Sequence, residues 1–309
     1  MKITLQRFPF FLSLLATQIC FGQGIKVLTN HIGYEWNAPK GAVILGHAND
    51  EVTGFKVIDS TGKEALSGQT VKVGLVDHWK DWYFWSADFS ALTNKGTYLI
   101  ECSTSEGSAR SFPFQVEDNL LERNTLSSVI YYFKEERCSG LLDKADRNLK
   151  FEGLTNTADV HGGWYDATGD YGKHLGGLGF SMYYNMQPLP VAAWSLFASY
   201  AELELRGDVN FKQYERRLLD EAMYGADFLV RMHSPGESFY RTVDAPGPGK
   251  RPEDRRIGKE DAGFAIKTVK TKDNFSIGPS TTRRGEYPYE VGFRSGAGMA
   301  IAALAMAST

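Results

Sequence analysis

Two hydrophobic rhythms divide the chain. From Ile25 to about Val116, apolar and polar residues alternate in short runs separated by turn-forming clusters. Phe55-Lys56-Val57-Ile58-Asp59 and Thr70-Val71-Lys72-Val73-Gly74 show the pattern. Successive side chains of a strand point to opposite faces, so a half-buried antiparallel strand alternates in this way. Ile25–Leu28, Ala42–Leu45, Phe55–Ile58, Val71–Leu75, Trp82–Ala87, Tyr98–Glu101 and Phe112–Val116 are the expected strands. Asn49-Asp50, Asp59-Ser60-Thr61-Gly62 and Thr93-Asn94-Lys95-Gly96 supply turns between them.

From Asp118 the period changes to that of a helix. Leu120, Leu121, Leu126, Val129, Ile130 and Phe133 share a face of a segment running to Arg137, with Asp118 or Asn119 as N-cap. Pro188–Leu205 carries Val191, Trp194, Leu196, Phe197, Tyr200 and Leu203 behind a proline start. Phe211–His233 places Tyr214, Leu218, Ala222, Gly225, Ala226 and Leu229 on one face and stops at Ser234-Pro235-Gly236. Glu290–Ser308 is rich in Gly and Ala, which suits close packing on a neighbouring helix. Strands followed by helices predict two domains rather than a βαβ sheet. The strand region predicts an immunoglobulin-like sandwich, though without a paired-cysteine signature. The wide helical faces fit a barrel of helix pairs or a solenoid, which periodicity does not separate.

Between Phe239 and Tyr289 lies a long loop-rich region, and a segment of that kind inside a compact domain is functional or disordered. Its Arg255, Arg256, Lys259, Lys267, Lys270 and Lys272 are interleaved with Glu260, Asp261 and Asp273 and read as a solvated face.

Composition adds limits. A length of 309 residues fits two domains, and 42% hydrophobic with 23% charged residues argues against disorder. A formal charge of −3 gives no reason to expect nucleic acid or an anionic membrane as partner. Lys2 and Arg7, the apolar run Phe8–Phe21, and Gly22 before Gln23 read as a secretory signal peptide over residues 1–22, placing the protein in the periplasm or outside the cell. The run is shorter than the roughly 20 residues of a spanning helix, so no membrane span is expected. Thr17-Gln18-Ile19 is a poor lipidation context for Cys20, which makes a lipoprotein the lesser reading. The spacing of Cys102 and Cys138 demands no disulfide, and two separate buried thiols are expected.

The chemistry concentrates in Asp159–Leu175, where acids, histidines and aromatics stand among glycines. Glycine permits positive φ and close approach, so the segment is expected to be a tight irregular loop aiming Asp166 and Asp170 into a cleft floored by aromatics. Paired carboxylates beside aromatic rings suit sugar hydrolysis. The alternative is a buried turn whose Asp side chains cap backbone N–H groups. His161 and His174 are able to ligate a metal, but contacts with carboxylates, sugar hydroxyls or backbone are the favoured reading, and no metal site is expected. No C-x-x-C, H-E-x-x-H, Walker loop or G-x-S-x-G offers a competing chemistry. The interval from Asp166 to Asp170 does not fit an EF-hand.

This stretch resembles the catalytic-base segment of glycoside hydrolase family 9, the cellulase family with an (α/α)6 barrel, whose motif reads G-G-W-Y-D-A-G-D. Here the motif runs Gly163-Trp164-Tyr165-Asp166-Ala167-Thr168-Gly169-Asp170, with Thr168 as one extra residue. The resemblance implies that Asp170 is the general base and that Asp166 helps hold the nucleophilic water. It implies substrate contacts for Trp164, Tyr165, His161 and His174, with Trp164 equally suited to the core. Asp244 and Arg251-Pro252-Glu253-Asp254 match a segment that lines the family's cleft. Arg251 would either bond sugar hydroxyls or pin acidic neighbours, the second being favoured.

Residues 23–117 resemble the immunoglobulin-like module that precedes many catalytic domains of this family. The matching residues are Asn30-His31-Ile32-Gly33-Tyr34 with Ala38-Pro39-Lys40, then Asp88-Phe89-Ser90 and Gly96-Thr97-Tyr98. Trp79, Trp82 and Trp85 either form a sugar-binding face or, the favoured reading, pack the sandwich and the domain interface. The expected whole is a multidomain β + α protein: an N-terminal immunoglobulin-like β-sandwich, then at 118–309 the first part of an (α/α)6 barrel. The family's catalytic acid is a Glu near the far end of the barrel. Glu286 and Glu290 lie too early to match it, so the chain is expected to be the front part of a longer, C-terminally truncated enzyme. The implied activity is hydrolysis of a β-1,4-glucan such as cellulose with inversion. No cofactor is required, and there is room for a structural calcium ion. An exo-acting glucosaminidase of the same family and a non-catalytic carbohydrate-binding protein are the alternatives.

Overall fold

A computed structural model describes residues 24–77, 79, 81–105, 107–167, 169–176, 188–236, 238–259, 289–293 and 296–308, together with the backbone of 266–270 and 275–279. The leader, Thr168, Gly177–Gly179, Glu260, Asp261, Lys272, Asp273 and Glu286 lie outside the described residues, as do the side chains of Lys267 and Lys270. The chain divides into two compact units, Met1–Arg123 and Asn124–Thr309.

In the first unit the alternating runs form two sheets. One has the order β1 (Lys26–Leu28), β3 (Gly41–Gly46), β7 (Tyr83–Asp88) and β6 (Val71–Leu75), antiparallel throughout. The other runs β2 (Tyr34–Glu35), β10 (Phe114–Glu117), β8 (Gly96–Thr104), β4 (Val52–Asp59) and β5 (Glu64–Gln69), with β9 (Gly107–Arg110) also on β8. Only the β2–β10 pair among them is parallel. Inward positions of both sheets close a dry core around Ile44, Val57, Trp85, Phe89, Ile100, Cys102 and Val116. All seven expected strands are present. The unexpected β2, β5 and β9 are short or polar, and β5 buries no residue fully, so they carry no alternation to detect.

The opening motif is structural. Tyr34 Oη accepts from the Asn30 N–H at 2.9 Å and donates to the Gly41 carbonyl at 2.7 Å. The three tryptophans share no face. Trp85 is in the core, Trp82 stacks on His47 with centroids 5.1 Å apart, and Trp79 lies exposed against Phe84.

The helix α1 (Leu120–Glu135) begins directly after Asp118 and Asn119. Glu35 binds its start: the carboxylate accepts from the backbone N–H groups of Asn119 at 2.7 Å and Leu120 at 2.5 Å. An acid against the free N–H groups of a first turn satisfies both the donors and the helix dipole.

The second unit continues through α2 (Gly140–Asp146), β11 (Leu149–Lys150), β12 (Thr157–Ala158) and β13 (Lys173–His174). Then come α3 (Pro188–Arg206), α4 (Lys212–Met232), β14 (Thr242–Val243), β15 (Ile257–Gly258), the hairpin β16 (Ile266–Lys270) and β17 (Phe275–Pro279), and α5 (Ala297–Ala307). The loop-rich region therefore holds short strands. Helices α3 and α4 pack together, and α5 lies on both. Its buried Ala297, Ala300 and Ala303 allow the close approach that its composition suggested, although the helix starts later than Glu290. Phe197, Leu218, Phe228, Leu229 and Met232 fill the space between the helices.

Two measurements check this packing. Burial, with a smaller effect of Glu101, pushes the Cys102 thiol up to about 12. Both Cys102 and Cys138 are buried and unpaired. Neither should react with a thiol reagent at pH 8 until the chain is unfolded, whereas immediate labelling of Cys102 would mean the sandwich core is open. On α4, a Cβ at Gly225 would lie 2.3 Å from Trp164 Cη2. Alanine gains about 1 kcal/mol of helix propensity over glycine. Overpacking a core costs about 1–3 kcal/mol, and displacing the indole also strands its hydrogen-bonded partner at a similar cost. Gly225→Ala should therefore lower stability in urea unfolding, not raise it.

Candidate functional site

The segment Asp159–Leu175 is a loop pinned at both ends. Val160, Trp164, Lys173 and Leu175 are buried, while Asp170 is exposed and Asp166 partly so. Gly163 has φ of 72°, and a Cβ there would meet the Phe228 ring at 2.7 Å, so the G-G-W start needs glycine for both conformation and space. The Asp166 N–H donates to the Gly172 carbonyl at 2.8 Å, and the Asp170 N–H to the Ala167 carbonyl at 2.8 Å. These bonds fold the tip back and turn both acids to the same side.

Asp166, Asp170 and His174 each offer a ligand-type atom, and those atoms lie within 4.8 Å of one another. The Gly172 N–H donates to Asp170 Oδ1 at 3.0 Å. His174 Nδ1 is 2.6 Å from Thr242 Oγ1, which is itself 3.4 Å from Asp244 Oδ1. Strand register creates this contact, since His174 and Thr242 are direct cross-strand partners of β13 and β14. Burial pushes the Asp244 carboxyl above the usual carboxylate range, and nearby His174 offsets only part of that. A sealed capping turn does not describe the loop, because Asp170 is open to solvent.

The remaining expected residues are placed elsewhere or otherwise engaged. Trp164 is a core residue, 2% exposed, and its Nε1 donates to Glu221 Oε1 at 2.7 Å. The buried Glu221 also holds the partly exposed Arg137 at 2.6 Å, so the indole is fixed by a paired carboxylate and offers no open ring face for a sugar. Tyr165 is half-buried, its hydroxyl near the Ser139 N–H and its ring edge-on to Tyr171 at 5.1 Å. His161 pairs with Asp159, Nδ1 to Oδ1 at 2.6 Å. Asp244 faces inward behind His174, with both carboxylate oxygens over Gly258. Arg251 is exposed and pairs with Asp254 at 3.1 Å and Glu253 at 3.4 Å, which is the pinning role. A hollow of about 60 Å³ beside Asp166 is walled by Tyr132, Phe133, Tyr165 and the edge of Trp164. A larger one of about 430 Å³, between α2 and the turn at Pro252–Asp254, touches neither aspartate.

Beneath the loop lies a cluster that the sequence reading missed. Asp146, at the end of α2, is fully buried; its Oδ1 is 2.7 Å from Arg255 Nε and its Oδ2 is 2.7 Å from Lys173 Nζ. Lys173 Nζ also donates to the carbonyls of Val160 at 2.7 Å and Gly162 at 2.8 Å. Arg255 donates to the carbonyls of Tyr171 and Asp244. Arg255 is thus no part of a solvated face. Burial lowers the Lys173 pKa, and Asp146 opposes that effect. The one trace of the cluster in the sequence is a single lysine, Lys173, inside a run rich in glycine, aromatics and acids. Asp146→Asn would leave two buried cations without a counter-charge and should cost about 3–5 kcal/mol in denaturant unfolding. A variant as stable as the parent would show that the cluster does not hold the loop.

A β-sandwich followed by packed helices, with two aspartates offered on a glycine-rich loop beside aromatic rings, defines a modular protein of the glycoside-hydrolase class. The chain belongs to glycosyl hydrolase family 9, whose profile matches residues 123–309, while that of the cellulase N-terminal ig-like domain matches residues 22–107. It is an immunoglobulin-like β domain followed by part of the family's helical domain. It is similar to a cellodextrinase of Butyrivibrio fibrisolvens, 29% identical over 263 residues that cover 80% of this chain and 45% of that protein. A cellulose 1,4-beta-cellobiosidase of Acetivibrio thermocellus is 24% identical over 251 residues, covering 67% of this chain and 26% of that one. Among solved structures, the family 9 endoglucanase J30 aligns with a TM-score of 0.50 and 25% identity over 72% of this chain and 44% of its own. The chain thus spans less than half the length of these relatives.

Proposed function

We propose that the chain supplies the water-activating half of an inverting glycoside hydrolase that cleaves β-1,4-glucans. The observation that carries this reading is the convergence of Asp166 and Asp170 on one open side of the loop, within 4.8 Å. Family membership and the activities named for its relatives support the substrate class.

In this reading Asp170 is the base. The Gly172 N–H fixes one of its oxygens, and the other, with no hydrogen bond among the described residues, is the one for water. Asp166 accepts the second hydrogen of the same water and so orients its lone pair toward the anomeric carbon. Inversion also requires a carboxylic acid roughly 6.5–9.5 Å from the base, on the far side of the sugar, to protonate the leaving oxygen. The aromatic wall of Tyr132, Phe133 and Tyr165 offers apolar ring surface beside the pair. This chemistry consumes only water and needs no cofactor. The charged start and apolar run of residues 1–22 support export, which fits a polymer too large to enter a cell.

Asp170 is exposed, so Asp170→Asn should leave the unfolding transition unchanged. In the full-length enzyme it should lower kcat on cello-oligosaccharides by about 10²–10⁴-fold, with little change in KM. Proton NMR of the parent reaction should show the α-anomer first. Undiminished turnover in the variant would remove Asp170 from the role. A parent that binds cello-oligosaccharides and never hydrolyses them would point to a binding protein.

A further inference from the structure

We propose that Asp166, Asp170 and His174 also form a binding site for a zinc-class divalent cation, which when bound blocks the water-activating pair. The blocking role rests on Asp170 being the base; the binding site does not.

The electrostatics of the cluster point to a cation. Thr242 has one hydroxyl hydrogen. When it is directed to Asp244 Oδ1, Oγ1 is left to accept from His174 Nδ1–H. Nδ1 is then engaged, and Nε2 is the ring nitrogen left to face the aspartates. His174 is only 9% exposed, and among the described residues Nε2 makes no hydrogen bond. It faces two carboxylates, whose one donor among the described residues is the Gly172 N–H on Asp170. Among the described residues, three potential ligand atoms converge with one backbone donor between them. A ligating histidine is typically held in this way, its second nitrogen tied through a hydrogen bond to a carboxylate behind it.

Space points the same way. A Cβ at Gly172 would lie 2.6 Å from His174 Nε2 and 3.1 Å from Asp170 Oδ1, in the gap between the two ligands. Gly172 is not among the positive-φ residues, so its backbone does not require glycine; the gap does. The donor set selects the ion. One imidazole nitrogen and two carboxylate oxygens suit zinc at about 2.0–2.2 Å, with a water in the fourth position. Calcium takes about six to eight oxygens, so this is not the place for the structural calcium ion expected from the resemblance. The two aspartates are on the more exposed part of the loop and can close on the ion, while His174 is fixed by its strand.

The test uses the full chain, with its purification tag removed and metals stripped by chelation. Calorimetric titration with zinc should show one equivalent bound. His174→Phe and Gly172→Ala should each weaken binding at least about tenfold, and excess calcium should not displace zinc. Cobalt in place of zinc should give a visible absorption band that is lost in Gly172→Ala. Should His174→Phe fail to fold, Thr242→Val keeps all three ligands, removes only the orienting hydroxyl, and should still cost about 10–100-fold. Absence of stoichiometric zinc binding, or binding indifferent to these changes, would overturn the site. In the full-length enzyme, zinc at the concentration that fills the site should stop glucan hydrolysis and a chelator should restore it. Hydrolysis that continues with zinc bound would overturn the blocking role. Tight zinc binding by an enzyme with no hydrolysis even when metal-free would confirm the site and refute the hydrolase reading.

Discussion

One buried carboxylate facing two buried cations sets the geometry of the second unit. Asp146, Lys173 and Arg255 come from the end of α2, from β13 and from the turn after Pro252–Asp254, and all three are fully buried. Bringing such groups out of water costs several kcal/mol per ion, and only close pairing with further hydrogen bonds offsets it. The extra bonds are present. Lys173 is surrounded by Asp146 and the carbonyls of Val160 and Gly162, and Arg255 by Asp146 and the carbonyls of Tyr171 and Asp244. Three of these carbonyls belong to the glycine-rich loop and the fourth, of Asp244, directly follows β14. The contribution of the cluster is therefore positional: beside the buried Val160, Trp164 and Leu175, the loop is fixed at Val160, Gly162, Tyr171 and Lys173 by ion–dipole contacts that tolerate little displacement.

That anchoring fixes the reactive groups by chain connectivity. Lys173 lies between Gly172, which bonds Asp170, and His174, which bonds Thr242. Because Lys173 points into the core, its strand neighbours must point the other way. The pairing of β13 with β14 sets His174 opposite Thr242, and a slip of one residue would exchange the faces of both strands. A buried charge, a two-residue ladder and one backbone N–H together locate two acids on a tip that is otherwise exposed. Rigidity below and exposure above are what a group that must meet both water and substrate requires.

How much of this was legible in the sequence depended on range. Alternation exposed each half-buried strand of the sandwich core, and the 3.6-residue period exposed α1, α3 and α4. Edge strands with no buried face, such as β5, gave no signal. Interactions between distant residues were invisible. Asp118 and Asn119 are the local candidates for a cap, but nothing nearby pointed to Glu35, 84 positions before Asn119, whose carboxylate also binds the start of α1. Arg255 sits in a mixed-charge run that reads locally as solvated, but its partner is 109 residues away. Trp164 is aromatic and adjacent to the acids, which drew it toward the substrate. Glu221 on α4, buried and already paired with Arg137, holds it in the core instead. Asp166, Asp170 and His174 were legible together because their clustering is local, four residues apart each time.

The same local crowding explains why one small site supports two kinds of occupant. A carboxylate becomes an effective proton acceptor when few donors neutralise it and another negative group stands near. Those conditions also raise its affinity for a metal cation, because both a proton and a cation relieve the convergence of lone pairs. What separates them is the third acceptor. A base and its helper need only two oxygens around a water, and a bare imidazole nitrogen adds nothing to that step. The nitrogen of His174 that faces the aspartates, left uncovered by the missing side chain of Gly172, supplies that third ligand. Competition for the pair is thus a consequence of how β13 and β14 are aligned, not of the acids alone.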